Sequence, residues 1–331
     1  MDKAMDWVSA FKFLRMGLAI ALFLGAVLAS AAPLTPEQCR AVYPDGNERL
    51  LCYNEATAEP QEELGGQLWD AWQLATPSIP FSSPQLYRPI YIMVRYSDDT
   101  NPLPMSPTHP APAPLAFKRM EAKFQLSFKS ELVSPQWLEK FIRSDAWRVW
   151  FAYTQQSNWQ ILDVQDSRPF RNTNYQPEVI VTQRIGNDPA PGWSPKLLNW
   201  GLLVHQSNGQ SDPLSRSWNR SYLQGGWQAG KNTYVLLRAW HRWSEVLARD
   251  DNPDMTSFVG TWDAALRGDV WNTRYLLLVR HRYIQLDLSP TKWKPFGAPL
   301  HFQITSGYGE TLLDYNHRQT TLGVGWSFGD W

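Results

Sequence analysis

The stretch Glu121-Ala122-Lys123-Phe124-Gln125-Leu126-Ser127-Phe128-Lys129 decides the fold class of this chain. Apolar side chains occupy every second position without a break, and charged or polar side chains occupy the positions between them. Successive side chains of a β-strand point to opposite faces, so this alternation predicts a strand with one apolar and one polar face. The segments Trp147 to Tyr153, Phe258 to Leu266 and Leu322 to Phe328 have the same period and are predicted as strands.

Roughly twelve segments of this kind, each of about ten residues, lie between turn-rich sequences. They predict an all-β fold: a twelve-stranded antiparallel transmembrane β-barrel, apolar outside and polar inside, with a short N-terminal periplasmic extension. The sequence ends in Trp331 with Phe328 nearby, which resembles the C-terminal signal of bacterial outer-membrane proteins. An aromatic-rich soluble β-sandwich is the alternative, because its strands alternate as well. Residues 97–116 carry six prolines that cannot pair in a sheet, so a loop is predicted there.

The composition argues against some classes of protein. Lys and Arg together number 31, as do Asp and Glu, so no net charge favours a nucleic-acid partner. The 18 Trp, 13 Tyr and 14 Phe suit a surface that meets a lipid interface. The six histidines include no pair at helical metal-binding spacing, and there is no cysteine cluster, so the sequence argues against a zinc site. His109 lies in the proline-rich loop and is interpreted as structural.

The N-terminus has the features of an export signal. Basic residues precede an uncharged run from Met16 to Ala32, and Ala29-Ser30-Ala31 offers small side chains at a cleavage position. We therefore expect a signal peptide at 1–31, a periplasmic extension at 32–85 and the barrel domain at 86–331. A retained membrane helix is the alternative.

The only two cysteines are Cys39 and Cys52, both just after the expected cleavage position. An exported chain with an even number of cysteines favours a disulfide, because oxidising compartments preserve such bonds. Two free thiols are the alternative. The sequence assigns no chemistry to this segment.

An imidazole, a hydroxyl and an amide lie close together in one part of the sequence. His205 and Ser207 are two residues apart, so on a strand they project from the same face, about 7 Å apart along the backbone. Asn219 follows a turn-rich segment and can return on the neighbouring strand to orient the imidazole. These groups are the base, nucleophile and orienter of serine acyl transfer. The Asn219 strand alternates so that this residue points outward, whereas the His205 strand is apolar on both faces and gives no direction.

The sequence around these residues resembles the signature of outer membrane phospholipase A of Gram-negative bacteria. Residues 205–220 read His-x-Ser-Asn-Gly-x-Ser-Asp-Pro-x-Ser-Arg-Ser-Trp-Asn-Arg. Three further stretches, Pro169 to Pro177, Asp250 to Asp254 and Ser306 to Asn316, look like the same family and occur in the expected order. The resemblance runs from about Leu86 to the C-terminus and leaves the cysteine-bearing segment unmatched.

The resemblance implies a calcium-dependent carboxylic ester hydrolase of the cell outer membrane. It implies phospholipase A1, phospholipase A2 and lysophospholipase activity on phospholipids of the surrounding membrane, with no nucleic-acid partner. Ser207 would be the nucleophile, His205 the general base and Asn219 its orienter. The backbone amide of Gly209 would help to bind the oxyanion. An amide orienter is physically sensible, since its oxygen accepts the imidazole N–H without burying a charge near lipid.

The resemblance also implies a reversible homodimer that is the active form, with calcium at the subunit interface. Gln155 matches a buried polar contact of that dimer. Asp212 matches an acidic position of a second calcium site in the single subunit, with a solvated loop carboxylate as the alternative. The implied calcium ligands are Ser167 of one subunit, the backbone carbonyl of Gln210 and the hydroxyl of Ser215 of the other, and Asp251, which shares the second site.

Two competing functions remain open at this point. A non-catalytic outer-membrane barrel, either a porin or a structural protein, explains the alternating strands equally well. Side chains of Arg, Trp, Tyr and Gln inside twelve strands argue against a wide pore. A soluble secreted esterase is the third reading.

Overall fold

The computed structural model describes Arg49 and residues 67–74, 84–110, 113–133, 146–165 and 169–329. The expected signal peptide, both cysteines and Trp331 lie outside these residues, as does Ser167. Every element described below belongs to one compact unit, residues 64–331.

Strands dominate the described part of the chain and form a single antiparallel sheet. The strands are β1 (Gln85–Leu86), β2 (Ile90–Ser97), β3 (Met120–Val133), β4 (Trp147–Trp159), β5 (Phe170–Arg184), β6 (Leu197–Ser207), β7 (Ser217–Gly230), β8 (Thr233–Arg242), β9 (Trp262–Val270), β10 (Thr273–Arg280), β11 (Tyr283–Pro290), β12 (Leu300–Tyr308) and β13 (Arg318–Phe328). The helices are α1 (Gln67–Ala71) and α2 (Met255–Val259), with single 3-10 turns at Leu247–Arg249 and Pro295–Gly297. None of the described helices is long and apolar enough to cross a membrane.

The sheet closes on itself. From β2 onward each strand pairs with the next one in the chain, and β13 pairs back with β2 through Phe328 and Ile90. The short β1 pairs with Phe128 and Lys129 of β3, so it continues the position of β2. The predicted twelve-stranded antiparallel barrel is therefore confirmed. We call the end where β2 begins and β13 ends the proximal rim, and the opposite end the distal rim.

The two faces of the wall differ as the alternation predicts. Leu126, Leu322 and Val324 point outward and are about half exposed, at 45%, 54% and 46%. Between them, polar side chains point inward and are buried. Lys123, for example, donates to Gln303 at 2.6 Å and to Glu310 at 2.9 Å across the interior. A closed ladder satisfies every backbone group where lipid offers no partner, so this wall suits a bilayer.

The described part of the expected extension lies within the proximal end of the barrel. Trp72 packs edge-on against Trp150 of β4 at 6.4 Å between ring centroids. The backbone N–H of Leu68 donates to the buried Gln228 of β7 at 3.0 Å, and Lys129 of β3 donates to the carbonyl of Ala71. Side chains of α1 and of the wall line a cavity of about 530 Å³ inside the barrel.

The strand expected at Phe258 begins later than predicted. Residues Met255–Val259 form α2, and β9 starts only at Trp262. Met255 and Val259 are four residues apart and both buried, which is the spacing of one helix face. Gly260 then ends the helix with a φ of 79°, a conformation that favours glycine. The apparent period of two across this helix arose by chance.

Candidate active site

A β-bulge in β6 sets the direction of the candidate catalytic side chains. The register between β6 and β7 shifts between Gly201 and Val204, and the two leucines in between are both exposed, at 50% and 53%. An extra residue reverses which positions face inward. Asn199 is buried before the bulge and Val204 after it, so His205 and Ser207 point outward.

Neighbouring side chains hold the bulge from outside the barrel. Ser221 of β7 donates its hydroxyl to the carbonyl of Leu202 at 3.0 Å. The indole of Trp243 donates to the same Ser221 oxygen at 2.8 Å, and the Trp243 backbone N–H donates to the carbonyl of Asn219 at 2.8 Å. These bonds connect the bulge to the strand that carries Asn219.

His205 and Asn219 are direct partners across β6 and β7. Their side chains meet with 2.9 Å between His205 Nδ1 and Asn219 Oδ1. Because an amide oxygen only accepts, Nδ1 carries the proton and Nε2 of a neutral ring keeps its lone pair. Ser207 lies on the same outward face, and its side chain makes no hydrogen bond to His205 within the described structure. Asn219 is outward as predicted.

A carboxylate fixes the other end of the Asn219 amide. Asn219 Nδ2 donates to Glu245 Oε1 at 3.4 Å. An amide can present either its oxygen or its nitrogen to a partner, and only the oxygen can accept from Nδ1–H. A carboxylate only accepts, so Glu245 favours the orientation in which Asn219 Oδ1 faces His205.

The loop between Ser207 and Asn219 is closed by its own side chains. Asn208 accepts from the backbone N–H of Arg216 at 2.9 Å and donates to the carbonyl of Leu214 at 2.8 Å. Arg216 is fully buried and donates to backbone carbonyls, including that of Ser215 at 2.6 Å. Burial lowers the pKa of Arg216 from its ordinary value. Gly209 has a φ of 63°, and a Cβ there would meet the ring of Tyr175 at 3.0 Å.

Three of the expected calcium ligands lie around this loop. Ser215 donates to Asp251 Oδ2 at 2.7 Å, and Ser217 donates to the same oxygen at 3.1 Å. The side chain of Gln210 donates to the backbone carbonyl of Arg171 at 2.9 Å. The structure thus brings Ser215 and Asp251 together, with Gln210 in the same loop.

Gln155 lies at the level of the candidate nucleophile. It is the cross-strand partner of Tyr175 in β5, and Tyr175 is in turn the partner of Ser207 in β6. Gln155 accepts from the hydroxyl of Tyr153 at 3.0 Å and donates to Ser157 at 3.3 Å. A polar group on the outer face is therefore two strands away from Ser207.

Glu245 and His109 lie outside the sequence motifs, and the structural role of Asn208 is visible only in the fold. Glu245 follows β8, and the pairing of β7 with β8 brings it to Asn219. Asn208 belongs to the motif at residues 205–220, but its role in closing the loop depends on Arg216 and Leu214. His109 lies 103 residues from Asp212 in sequence and contacts it through the fold.

A closed twelve-stranded barrel with an apolar outer face defines an outer-membrane β-barrel, and His205, Ser207 and Asn219 lie on its outer face. The sequence profile of the phospholipase A1 family matches residues 78–328. The chain belongs to this family, whose members are carboxylic ester hydrolases.

Sequence and structure relatives agree with this assignment. A relative from Neisseria meningitidis is 39% identical over 258 residues, covering 74% of this chain and 65% of the relative. The outer membrane phospholipase of Salmonella typhi, solved as a dimer with bound calcium, superposes with a TM-score of 0.65 at 28% identity, covering 78% of this chain and 97% of that one. An active-site mutant of Escherichia coli outer membrane phospholipase A, with alanine in place of an asparagine, gives 0.64 at 28%, covering 78% and 95%.

Proposed function

We propose that this chain is a calcium-dependent outer-membrane phospholipase that is active as a homodimer. It hydrolyses the sn-1 and sn-2 acyl esters of phospholipids and of lysophospholipids by a Ser-His-Asn mechanism. The observation that carries the proposal is the 2.9 Å contact between His205 Nδ1 and Asn219 Oδ1 on the outward face of the barrel. On that face, the substrate is the membrane around the protein.

The geometry supports a general-base mechanism. Ser207 Oγ attacks the ester carbonyl carbon while His205 Nε2 takes the hydroxyl proton. His205 then gives that proton to the departing glycerol oxygen, and water attacks the acyl-enzyme in the same way. Asn219 keeps the ring in the tautomer that leaves Nε2 free. In the described structure Ser207 makes no hydrogen bond to His205. Hydrogen bonds between a nucleophile and its base often form only once substrate is bound, so this geometry is compatible with His205 acting as the base for Ser207.

The oxyanion of the tetrahedral intermediate requires a donor. We assign this role to the backbone amide of Gly209, two residues beyond Ser207. The left-handed conformation of Gly209 supports it, because a side chain at this position would strain the backbone and meet the ring of Tyr175 closely. Removing one oxyanion donor costs enzymes of this kind about 10²–10³-fold in kcat.

The donors around the loop fit calcium. The carbonyl of Gln210, the hydroxyl of Ser215 and the carboxylate of Asp251 are all oxygen donors, which calcium prefers. Bound there, calcium would supply positive charge beside the developing oxyanion. In this chain Gln210 replaces the arginine usual in the family, which leaves the backbone carbonyl unchanged. Ser167 completes the proposed set from a second subunit.

A homodimer explains why so few ligands come from one subunit. Gln155 and Ser207 are two strands apart at one level of the outer face, so a partner that packs at Gln155 also reaches the active site. The Salmonella typhi relative was solved as a dimer with bound calcium. We infer that association of two subunits is reversible and activating. Removal of a signal peptide at 1–31 and a Cys39–Cys52 disulfide are part of the same proposal.

The direct test is fatty-acid release by the purified full-length protein in detergent. Phospholipids with distinguishable chains at the two acyl positions report which ester is cleaved. We expect release from both positions with calcium and none with a chelator. Release that persists undiminished in chelator would overturn calcium dependence, and channel conductance without release would assign the barrel to the porins.

A further inference from the structure

The cavity of about 530 Å³ inside the barrel carries an excess of positive charge. Of the described residues, seven cationic side chains but only four carboxylates line it. One of those carboxylates, Glu310, is already bound by Lys123 at 2.9 Å and by Arg95 at 2.7 Å, and neither of these cations lines the cavity. Buried charges of one sign repel one another unless a counter-charge lies among them.

Arg220 of β7 is a buried cation held only by neutral groups. It is 6% exposed, and it donates to the side-chain oxygen of Gln206 at 3.0 Å and of Gln176 at 3.2 Å. Its guanidinium carbon lies 4.1 Å from the ring centroid of Trp218. No carboxylate of the described residues forms an ion pair with Arg220. Amide oxygens and an aromatic face leave its charge uncompensated.

Arg280 of β10 is a second cation of this kind. It donates to the backbone carbonyl of Gly309 at 2.7 Å, and its guanidinium carbon lies 4.6 Å from the ring centroid of Tyr283. Its Nε is buried and finds no acceptor among the residues that the structure describes. A buried N–H without an acceptor costs free energy, so a ligand that offers an oxygen here would bind favourably.

Arg238 of β8 connects the two. The guanidinium carbons of Arg220 and Arg238 both lie 5.8 Å from the ring centroid of Trp240. Asp263 of β9 is the cross-strand partner of both Arg238 and Arg280. Both oxygens of Asp263 accept from Arg238, so this carboxylate is committed to Arg238 and leaves Arg280 without a partner.

Arg88, which precedes β2, completes the group. It binds Glu178 of β5 at 2.8 Å, and Gln176, which accepts from Arg220, donates to the same Glu178 oxygen at 2.7 Å. We call Arg88, Arg220, Arg238 and Arg280, which all line the cavity, the arginine cluster. Glu178 and Asp263 neutralise two of these four cations, so two positive charges remain.

We propose that the arginine cluster binds a dianionic phosphate group, either inorganic phosphate or a small phosphomonoester. The planar guanidinium presents parallel N–H donors that match phosphate oxygens, and Arg is the side chain best suited to them. A phosphomonoester carries about 1.5 to 2 negative charges at neutral pH, which matches the two uncompensated cations. A single carboxylate would neutralise only one.

The cavity also has room for an organic part of the ligand. Its volume lies within the roughly 300–1,000 Å³ of small-molecule sites. The rings of Trp240 and Tyr283 line it beside the arginines and offer apolar faces. Arg220 is bonded to Gln206, which lies between His205 and Ser207 in β6, so the ligand would lie behind the strand that carries the candidate catalytic residues.

The test measures binding and makes no use of fatty-acid release, so its failure leaves the proposed function intact. The full-length protein in a non-ionic detergent and phosphate-free buffer is titrated by calorimetry with inorganic phosphate, with phenyl phosphate and with acetate. We expect one phosphate per chain with a Kd below about 1 mM, and acetate at least about tenfold weaker. Tighter binding of phenyl phosphate would identify a phosphomonoester as the ligand, and equal binding would identify free phosphate.

Variants separate a binding role of the arginines from a structural one. Arg220→Gln and Arg280→Gln should each weaken phosphate binding at least about tenfold, and Arg280→Lys should weaken it as well, because lysine lacks the paired donors. Arg282→Gln removes an exposed arginine two residues from Arg280 that does not line the cavity, so it should bind phosphate as the wild type does. Phosphate should raise the Tm of the wild type and not that of Arg280→Gln. Without phosphate, Arg280→Gln should be at least as stable as the wild type, since it removes an uncompensated charge.

Four results would overturn the proposal. No saturable binding of either phosphate by the wild type up to about 10 mM would mean that the chain itself compensates these charges. Equal affinity for acetate and phosphate would remove the selectivity for a dianion. Unchanged phosphate affinity in Arg220→Gln and Arg280→Gln would place the anion elsewhere. A lower Tm of Arg280→Gln in phosphate-free buffer would assign this arginine to the packing of the barrel.

Discussion

His205 Nδ1 and Asn219 Oδ1 lie 2.9 Å apart across two neighbouring strands, on the outer face of a closed barrel. The contact depends on the bulge at residues 202 and 203, because without the extra residue His205 would point into the barrel. The catalytic proposal therefore rests on a backbone irregularity as much as on side-chain identity.

Replacing Asn219 tests the orienter. Asn219→Ala should lower kcat at least about tenfold with little change in KM, and at most by the roughly 10²–10⁴-fold that a positioned general base supplies. Asn219→Asp places a second carboxylate next to Glu245, and like charges repel. We expect the additional change Glu245→Gln to restore part of the activity of Asn219→Asp. Equal activity of the single and double variants would contradict the contact.

Glu245 itself should act through Asn219. Glu245→Ala frees the amide to turn, so we expect a several-fold loss in kcat at unchanged KM. Glu245→Gln should keep most of the activity, because its side-chain oxygen still accepts from Nδ2. Asp188→Ala is the matched control, since it removes a carboxylate with 76% exposure between β5 and β6. If Glu245→Gln lowered kcat as much as Glu245→Ala, the negative charge of Glu245 would be what matters, and not its effect on the orientation of the Asn219 amide.

Ser215 and Ser217 separate calcium binding from the packing of the loop. Both hydroxyls donate to Asp251 Oδ2, at 2.7 and 3.1 Å, but only Ser215 is a proposed ligand. Ser215→Ala removes a proposed ligand and one bond to Asp251, so it should raise the calcium concentration for half-maximal activity at least about tenfold. Ser217→Ala removes only the longer bond to Asp251 and should raise that concentration clearly less. Calcium titrations of fatty-acid release measure both. Equal increases of this calcium concentration in the two variants would contradict the assignment of Ser215 as a ligand. They would mean that both changes act by loosening Asp251.

Gln155 should contribute to association of the subunits. Gln155 bonds to Tyr153 and Ser157 of its own strand, and a partner subunit can add a polar contact that lipid cannot. Gln155→Ala should therefore weaken the dimer several-fold while the monomer folds normally. Sedimentation in detergent with calcium measures the change. Ser306→Ala in β12 is the control, because Ser306 is a polar residue of the wall that lies outside the proposed interface and bonds to Thr320 at 3.1 Å. An unchanged dimer in Gln155→Ala would place the interface elsewhere.

A buried ion pair at the distal rim should contribute to the free energy of unfolding of this protein. Arg171 binds Asp314 at 2.5 Å, and although burial opposes it, this guanidinium holds the pKa of Asp314 below its ordinary value. Asp314→Asn removes one of the two carboxylates that bind Arg171, the other being Glu121, and should lower the free energy of unfolding by up to about 3 kcal/mol at neutral pH. The stability that the ionised Asp314 contributes is fully present above its unfolded pKa of about 3.9. It is lost as the pH falls from there through the lower pKa of the folded state. Denaturant unfolding should therefore give different free energies of unfolding for the wild type and Asp314→Asn at pH 7. The two values should converge at acidic pH.

The alternation from Glu121 to Lys129 was sufficient to predict the barrel, because the period of two follows directly from strand geometry. It failed where the backbone departs from that geometry. The bulge before Val204 reverses the faces of β6 with no signal in the sequence, and α2 replaces the strand expected at Phe258. The motif located His205, Ser207 and Asn219, but Glu245 and His109 reach the site only through the pairing of distant strands and loops.

The central claim is that Ser207 is the nucleophile of a calcium-dependent phospholipase, and one assay tests it most directly. Calcium-dependent fatty-acid release is compared between Ser207→Ala and Ser211→Ala, which removes an exposed hydroxyl four residues away in the same loop. The account predicts that Ser207→Ala loses release to the background rate while Ser211→Ala retains it. Undiminished release by Ser207→Ala would contradict the account.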